Sequence, residues 1–208
     1  MTNTYDSIIF DLDGTLWDST QAIATAWQQA VREAGITDVA ITAERVRGLA
    51  GMPYDAIYDK LFPEMKGEQR EKLQKLCARL EMERLKEQGG KLYPEVKETL
   101  DYLKGKYKLA IVSNCQSGYI ETFLEYHNLH HYFTDHDCYG NRGLSKAENI
   151  VEVVKRNNMK QAVYIGDTTG DYEASQKAQV PFILAAYGFG TVAADVKSID
   201  AFSDLKLL

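Results

Sequence analysis

The chain has 208 residues, 45% of them hydrophobic and 26% charged, with a formal net charge of −6. That length supports one core of moderate size and a smaller second one, and the charge argues against a nucleic-acid partner. No window approaches the roughly 18 consecutive apolar residues of a membrane span, so a membrane partner is not expected. The N-terminal residues Met1 to Asp6 carry neither a basic region nor an apolar signal core, which argues against secretion. Cys77, Cys115 and Cys138 fit neither a disulfide framework nor a CxxC metal site. Reduced thiols in a cytoplasmic protein are the simplest expectation. Nothing in the sequence separates a monomer from a dimer.

In chain order, Ser7 to Phe10 is a short apolar run that reads as a buried strand. It is followed at once by Asp11, Asp13, Gly14 and Thr15. The pattern then turns helical. Ser19 or Thr20 suits a helix cap, and Ile23, Trp27, Ala30, Val31 and Ala34 recur at helical spacing up to Gly35. Thr42 suits the start of a second helix, and a third begins after Pro53. A fourth runs from about Glu68 to Gln88, with Leu73, Leu76, Cys77 and Leu80 as its apolar stripe, a Glu/Lys-rich solvated remainder, and Gly89-Gly90 as its end. No strand is expected between Leu16 and Gly90, which reads as a helical insertion.

From Pro94 onward strands and helices alternate. Lys108–Val112, Ala162–Ile165 and Pro181–Ala185 read as strands, Phe133–Tyr139 as a more polar one, and Ser145 as a helix cap. A short helix and a tail are expected at the end. The alternation implies βαβ units and a parallel sheet with helices on both faces.

The strand ends share one property. Strand one ends at Asp11-Leu12-Asp13-Gly14-Thr15, the next at Ser113-Asn114, another at Gly166-Asp167 with Asp171 four residues on, and Lys146 opens a helix. In a parallel sheet these points fall on one edge, where ligands bind. Each cluster alone is explained by turn, cap or surface chemistry; their joint placement is not. Ionised Asp11, Asp13, Asp167 and Asp171 against Lys146 leave that edge strongly negative, and a hard divalent cation relieves it. Oxygen ligands without His or Cys point to Mg²⁺, bound through carboxylates and a substrate phosphate.

The full set resembles the haloacid dehalogenase-like hydrolase superfamily at all of its motifs: Asp11-x-Asp13-Gly14-Thr15, Ser113-Asn114, Lys146 and Gly166-Asp167-x-x-x-Asp171. Leu92-Tyr93-Pro94 and Tyr187-Gly188-Phe189-Gly190 look like the branch holding phosphoglycolate phosphatases and β-phosphoglucomutases. The resemblance implies a Rossmann-like core from residues 1–15 and 91–208, with 16–90 as a small α-helical cap. It implies a Mg²⁺-dependent phosphatase acting on a small phosphorylated metabolite. Asp11 is then the nucleophile that forms an aspartyl phosphate, and Asp13 the general acid and base. Ser113, Asn114 and Lys146 bind the phosphoryl group, and Thr15 orients the first loop. Mg²⁺ is held by the Asp11 side chain, the Asp13 carbonyl and Asp167, with Asp171 in support. The loop Arg47–Met52 resembles the family's specificity segment, which makes Arg47 and Met52 candidates to face substrate. A sugar phosphomutase using the same intermediate remains an alternative, as does a phospho-accepting or catalytically silent binding module.

Overall fold

A computed structural model describes residues 4–208. Met1–Asn3, which entered the expectation about secretion, lie outside the described residues. Six strands form a parallel sheet in the order β5-β4-β1-β6-β7-β8. They are β1 (Ser7–Phe10), β4 (Lys108–Ser113), β5 (Asp135–Cys138), β6 (Ala162–Gly166), β7 (Phe182–Ala185) and β8 (Ser198–Ile199). A separate antiparallel ribbon pairs β2 (Trp17–Asp18) with β3 (Lys91–Leu92). The helices are α1 (Thr20–Glu33), α2 (Ala43–Arg47), α3 (Tyr54–Leu61), α4 (Gly67–Gln88), α5 (Val96–Leu103), α6 (Tyr119–His127), α7 (Tyr139–Arg142), α8 (Lys146–Arg156) and α9 (Thr169–Lys177).

The period of two along each strand divides the core into two layers. Ile8, Phe10, Leu109, Ile111, Val163 and Ile165 point to one face, where Leu100, Leu103 and Phe123 of α5 and α6 cover them. Ile9, Ala110, Val112 and Tyr164 point to the other, against Ile150 and Val153 of α8 and Ala174 of α9. A strand buried on both sides reads as a continuous apolar run, which is why β1, β4 and β6 are plain in the sequence. β5 is polar because it is the edge strand. Its Asp135 and the buried Asp137 pair with Arg156 of α8, whose Nε and Nη1 approach them at 2.5 and 2.8 Å.

The insertion holds one strand that the sequence pattern does not predict, the two-residue β2, which lies beside β3 where the chain leaves and re-enters the core. Between them α1 to α4 form a helical cap whose apolar residues, including Trp27, Val31, Leu73, Cys77 and Leu80, are continuous with the core on one face of the sheet. The C-terminal tail also adds β8 before its short 3₁₀ helix at Phe202–Leu207.

Register aligns the strand ends. Phe10 lies opposite Ile111 and Ile165, and the Asp11 amide donates to the Ile165 carbonyl at 2.8 Å. The residues after β1, β4 and β6 therefore emerge side by side.

Return from the cap depends on Gly89, with φ 61° and ψ −167°, a region that side chains essentially do not enter. A Cβ there would also lie 2.2 Å from the Tyr126 ring. Gly89→Ala is expected to lower stability by about 1–3 kcal/mol in urea unfolding. Gly105→Ala, where a Cβ meets nothing within 4 Å, serves as the neutral control.

Candidate active site

The first strand delivers Asp11 to the sheet edge, where it is buried. Lys146 arrives from the opposite direction as the first residue of α8. Ser145 and Glu148 form a capping box that fixes that helix start. The Lys146 Nζ donates to Asp11 Oδ1 at 2.8 Å and to Asp171 Oδ1 at 2.5 Å. Burial opposes its charge, but the two carboxylates outweigh this and hold the ammonium protonated, well above its ordinary range.

Asp171 is set by a second capping box. Its Oδ2 accepts from the Thr168 amide at 2.9 Å and the Thr168 hydroxyl at 2.6 Å. Burial raises its carboxyl, but Lys146 and these hydrogen bonds prevail, and it lies below the usual carboxylate range. Asp167, at the end of β6, has no such cation of its own. Its Oδ2 accepts from the Phe189 amide at 2.7 Å, while its buried Oδ1 has no hydrogen-bond partner among the described residues. Burial first, then the charges of Asp171 and Asp11, push its carboxyl up. Asp11 is pushed the same way by burial, which Lys146 only partly offsets. Gly14 permits this crowding: its φ is 88°, and a Cβ would lie 2.1 Å from Asp167 Oδ2.

Asp11, Asp167 and Asp171 each offer an oxygen, all within 4.8 Å of one another. One ammonium pairs with two of these three buried carboxylates, and the third, Asp167, keeps an oxygen without a partner among the described residues. Such an all-oxygen, over-acidic cluster fits a hard divalent cation.

Asp13 is half-buried and faces a cavity of about 80 Å³. One water needs roughly 10–15 Å³ by the same measure, so the space suits a small ligand. Ser19 Oγ and Tyr119 Oη donate to Asp13 Oδ1 at 2.5 and 2.9 Å. Burial raises the Asp13 carboxyl to about 6, with these two hydroxyls pulling it back.

Ser113 and Asn114 line the same cavity as Asp11 and Asp13. Asn114 Nδ2 also reaches across to the Gly51 carbonyl of the cap, at 2.8 Å. Met52 is on the lining, and Arg47, expected with it, is not. The Arg47 guanidinium pairs with Asp18 at 3.1 Å and lies 5.3 Å from the centre of the Phe189 ring. Thr15 is buried beneath the loop, outside the lining, and its carbonyl accepts from Tyr187 Oη at 2.8 Å.

Some residues of the site have no local signal in the sequence. Ser19 reads as a helix cap, yet its hydroxyl serves Asp13, and Asp18 caps the helix instead by accepting from the Thr20 amide at 2.9 Å. Tyr119 reads as an ordinary helix residue. Glu81 falls in the face of α4 expected to be solvated, yet it is buried, lines the cavity, and accepts from Trp27 Nε1 at 2.6 Å and Gln116 Nε2 at 3.0 Å. Phe189 belongs to a segment whose resemblance was visible but whose role as the amide holding Asp167 was not.

Known proteins agree with this architecture. The family model for haloacid dehalogenase-like hydrolases matches residues 8–185. A phosphoglycolate phosphatase from Aquifex aeolicus is 30% identical over 187 residues, covering 88% of this chain and 85% of that one. One from Vibrio cholerae is 30% identical over 198 residues, covering 88% and 84%. The solved structure of a haloacid dehalogenase-like family hydrolase from Streptococcus pneumoniae superposes with a TM-score of 0.80 at 22% identity, over 99% of each chain. With its sequence matched from the first strand to β7 and its fold shared from end to end, the chain belongs to the haloacid dehalogenase-like hydrolase family.

Proposed function

We propose that the protein is a Mg²⁺-dependent phosphatase of the phosphoglycolate phosphatase type, cleaving a small phosphomonoester through an aspartyl phosphate on Asp11. The observation that carries this reading is the Lys146 bridge between Asp11 and Asp171, set beside the orphaned oxygen of Asp167. The curated relatives that bear the phosphoglycolate phosphatase name support the reaction class.

Asp11 attacks phosphorus with one carboxylate oxygen, and the bond from phosphorus to the substrate alcohol breaks. Lys146 partly offsets the burial that opposes ionisation of Asp11 and so favours the carboxylate that attack requires. Asp13 gives its proton to the departing alkoxide. Water then attacks the aspartyl phosphate, Asp13 takes the proton of that water, and inorganic phosphate leaves Asp11 free. A carboxyl near 6 can hold and return a proton at neutral pH. Ser19 and Tyr119 fix the Asp13 rotamer for both transfers. Ser113, Asn114 and Lys146 donate to phosphoryl oxygens as their charge redistributes. Asp11 and Asp167 would hold Mg²⁺, with the Asp13 carbonyl and Asp171 in support. When bound, the ion neutralises the carboxylates and the phosphoryl oxygens. Residues 16–90 act as the cap that excludes water, joined to the core through 1–15 and 91–208.

A phosphomutase must also grip a second phosphate. The cap side of the cavity, lined by Ile23, Trp27, Leu49, Met52, Ile57 and Glu81, offers no lysine, arginine or histidine among the described residues, which favours hydrolysis. Free thiols at Cys77, Cys115 and Cys138 suit a reducing cytoplasm, and among the described residues no helix is long and apolar enough to cross a membrane.

Asp11→Asn is expected to abolish turnover of an aryl phosphate while the protein stays folded by circular dichroism, since Lys146 retains Asp171. Asp13→Asn is expected to slow alkyl phosphate hydrolysis by about 10²–10⁴-fold. EDTA removes activity and Mg²⁺ restores it. In thermal melts, Mg²⁺ at a hundredfold excess over its dissociation constant adds about 2.7 kcal/mol of stability to the wild type. Asp167→Asn loses that shift at the same Mg²⁺ concentration; a wild type whose melting is indifferent to Mg²⁺ contradicts the metal assignment.

A further inference from the structure

The cavity has two ends of different character. At its floor are Asp11, Asp13, Ser113 and Asn114. Its roof and side walls are largely apolar, with Ile23, Trp27, Leu49, Met52 and Ile57 among them, and they carry one acid, Glu81 of α4. Glu81 is 3% exposed. Charged side chains are left this deep only when something compensates them. Here the compensation is two neutral donors, Trp27 Nε1 on one oxygen and Gln116 Nε2 on the other. No ion pair includes Glu81 among the described residues. Burial first, with the Asp13 charge adding to it, pushes its carboxyl up to about 7, while these two donors pull it back. Each oxygen retains capacity for a second hydrogen bond.

On the reading of Asp13 as the proton donor to the leaving alkoxide, on which this inference rests, the alcohol half of the substrate lies on the Asp13 side of the cavity. Glu81 faces that same space from the cap. We infer that Glu81 is a specificity-determining residue that accepts a hydrogen bond from a hydroxyl or ammonium group on the substrate alcohol and turns away alcohols that carry a carboxylate. The chemistry is that of a terminal donor two or more bonds beyond the ester oxygen. When Glu81 is ionised, a carboxylate placed there would meet it with no cation among the described wall residues to separate them, in a space whose low dielectric magnifies the repulsion. The name borne by the curated relatives refers to a carboxylated alcohol, so this chain departs from them in the half of the substrate it selects, not in its chemistry.

The test is a two-carbon series that differs only at its end: 2-hydroxyethyl phosphate, 2-aminoethyl phosphate, ethyl phosphate and 2-phosphoglycolate, with an aryl phosphate as the control for chemistry. Values of kcat/KM are compared for the Mg²⁺-loaded wild type and Glu81→Gln, which keeps the shape and the acceptor for Trp27. At about pH 8.5, above the raised Glu81 carboxyl, the wild type is expected to prefer the hydroxyl or ammonium ester to ethyl phosphate and to disfavour phosphoglycolate by about 10²-fold relative to the better of them. Glu81→Gln is expected to narrow that gap from both sides. A collapse confined to the aminoethyl ester identifies ammonium as the preferred donor, and a comparable loss for both esters identifies hydroxyl. Wild-type preference for phosphoglycolate, or a Glu81→Gln profile parallel to that of wild type, overturns the inference while leaving the phosphatase reading intact. Failure to turn over any ester, the aryl phosphate included, overturns the phosphatase reading and this inference with it.

Discussion

One buried ammonium organises the sheet edge. Lys146 sits at the start of α8, where the helix dipole disfavours a cation by about 0.3–1 kcal/mol. It is held there by Asp11 and Asp171, both buried and both within hydrogen-bond distance. Removing the ammonium from such a set leaves buried carboxylates uncompensated, at a cost of about 3–5 kcal/mol. The three residues come from β1, α8 and α9, so the contact joins segments far apart in sequence. It also leaves the edge short of positive charge, because Asp167 shares the space and draws only an amide from Phe189. The same arrangement that stabilises the edge is therefore what carries the proposed cation and phosphate site. Stability and chemistry are not separable here.

The cap completes the site in two ways. It closes the space above Asp13, and it supplies polar groups that the sheet cannot. Asn114 and Gln116, which follow β4, both reach cap atoms, the Gly51 carbonyl and the Glu81 carboxylate. These contacts span the boundary across which a cap would open. Ser19 stands at the same boundary, and its bond to Asp13 ties the acid proposed to transfer the proton to the start of α1. Closure and orientation of the acid are thus carried by the same few hydrogen bonds.

Much of the core was legible in the sequence because its signals are local. The apolar runs Ser7–Phe10 and Ala162–Gly166 can be little but buried strands, and each hands its next residue to the sheet edge. Ser145 and Glu148 announce a helix start, which puts Lys146 beside that edge. Once β1, β4 and β6 are parallel, the gathering of Asp11, Asn114 and Asp167 follows from topology alone. The cap is different. Glu81 lies in a helix rich in Glu and Lys, and only packing against Trp27 and Gln116 distinguishes it from its solvated neighbours. Tyr119 and Ser19 meet Asp13 across sequence separations that no periodicity encodes. β2 is two residues long, too short to leave a pattern, and exists because β3 lies beside it.

The central claim is a covalent phosphoryl group on Asp11. Acid-quenching the enzyme during turnover, reducing the acyl phosphate with borohydride and sequencing the peptides by mass spectrometry reads this directly. The account predicts reduction of Asp11 to homoserine, dependent on substrate and on no other aspartate. Reduction at a different residue, or steady turnover with Asp11 never modified, would contradict it.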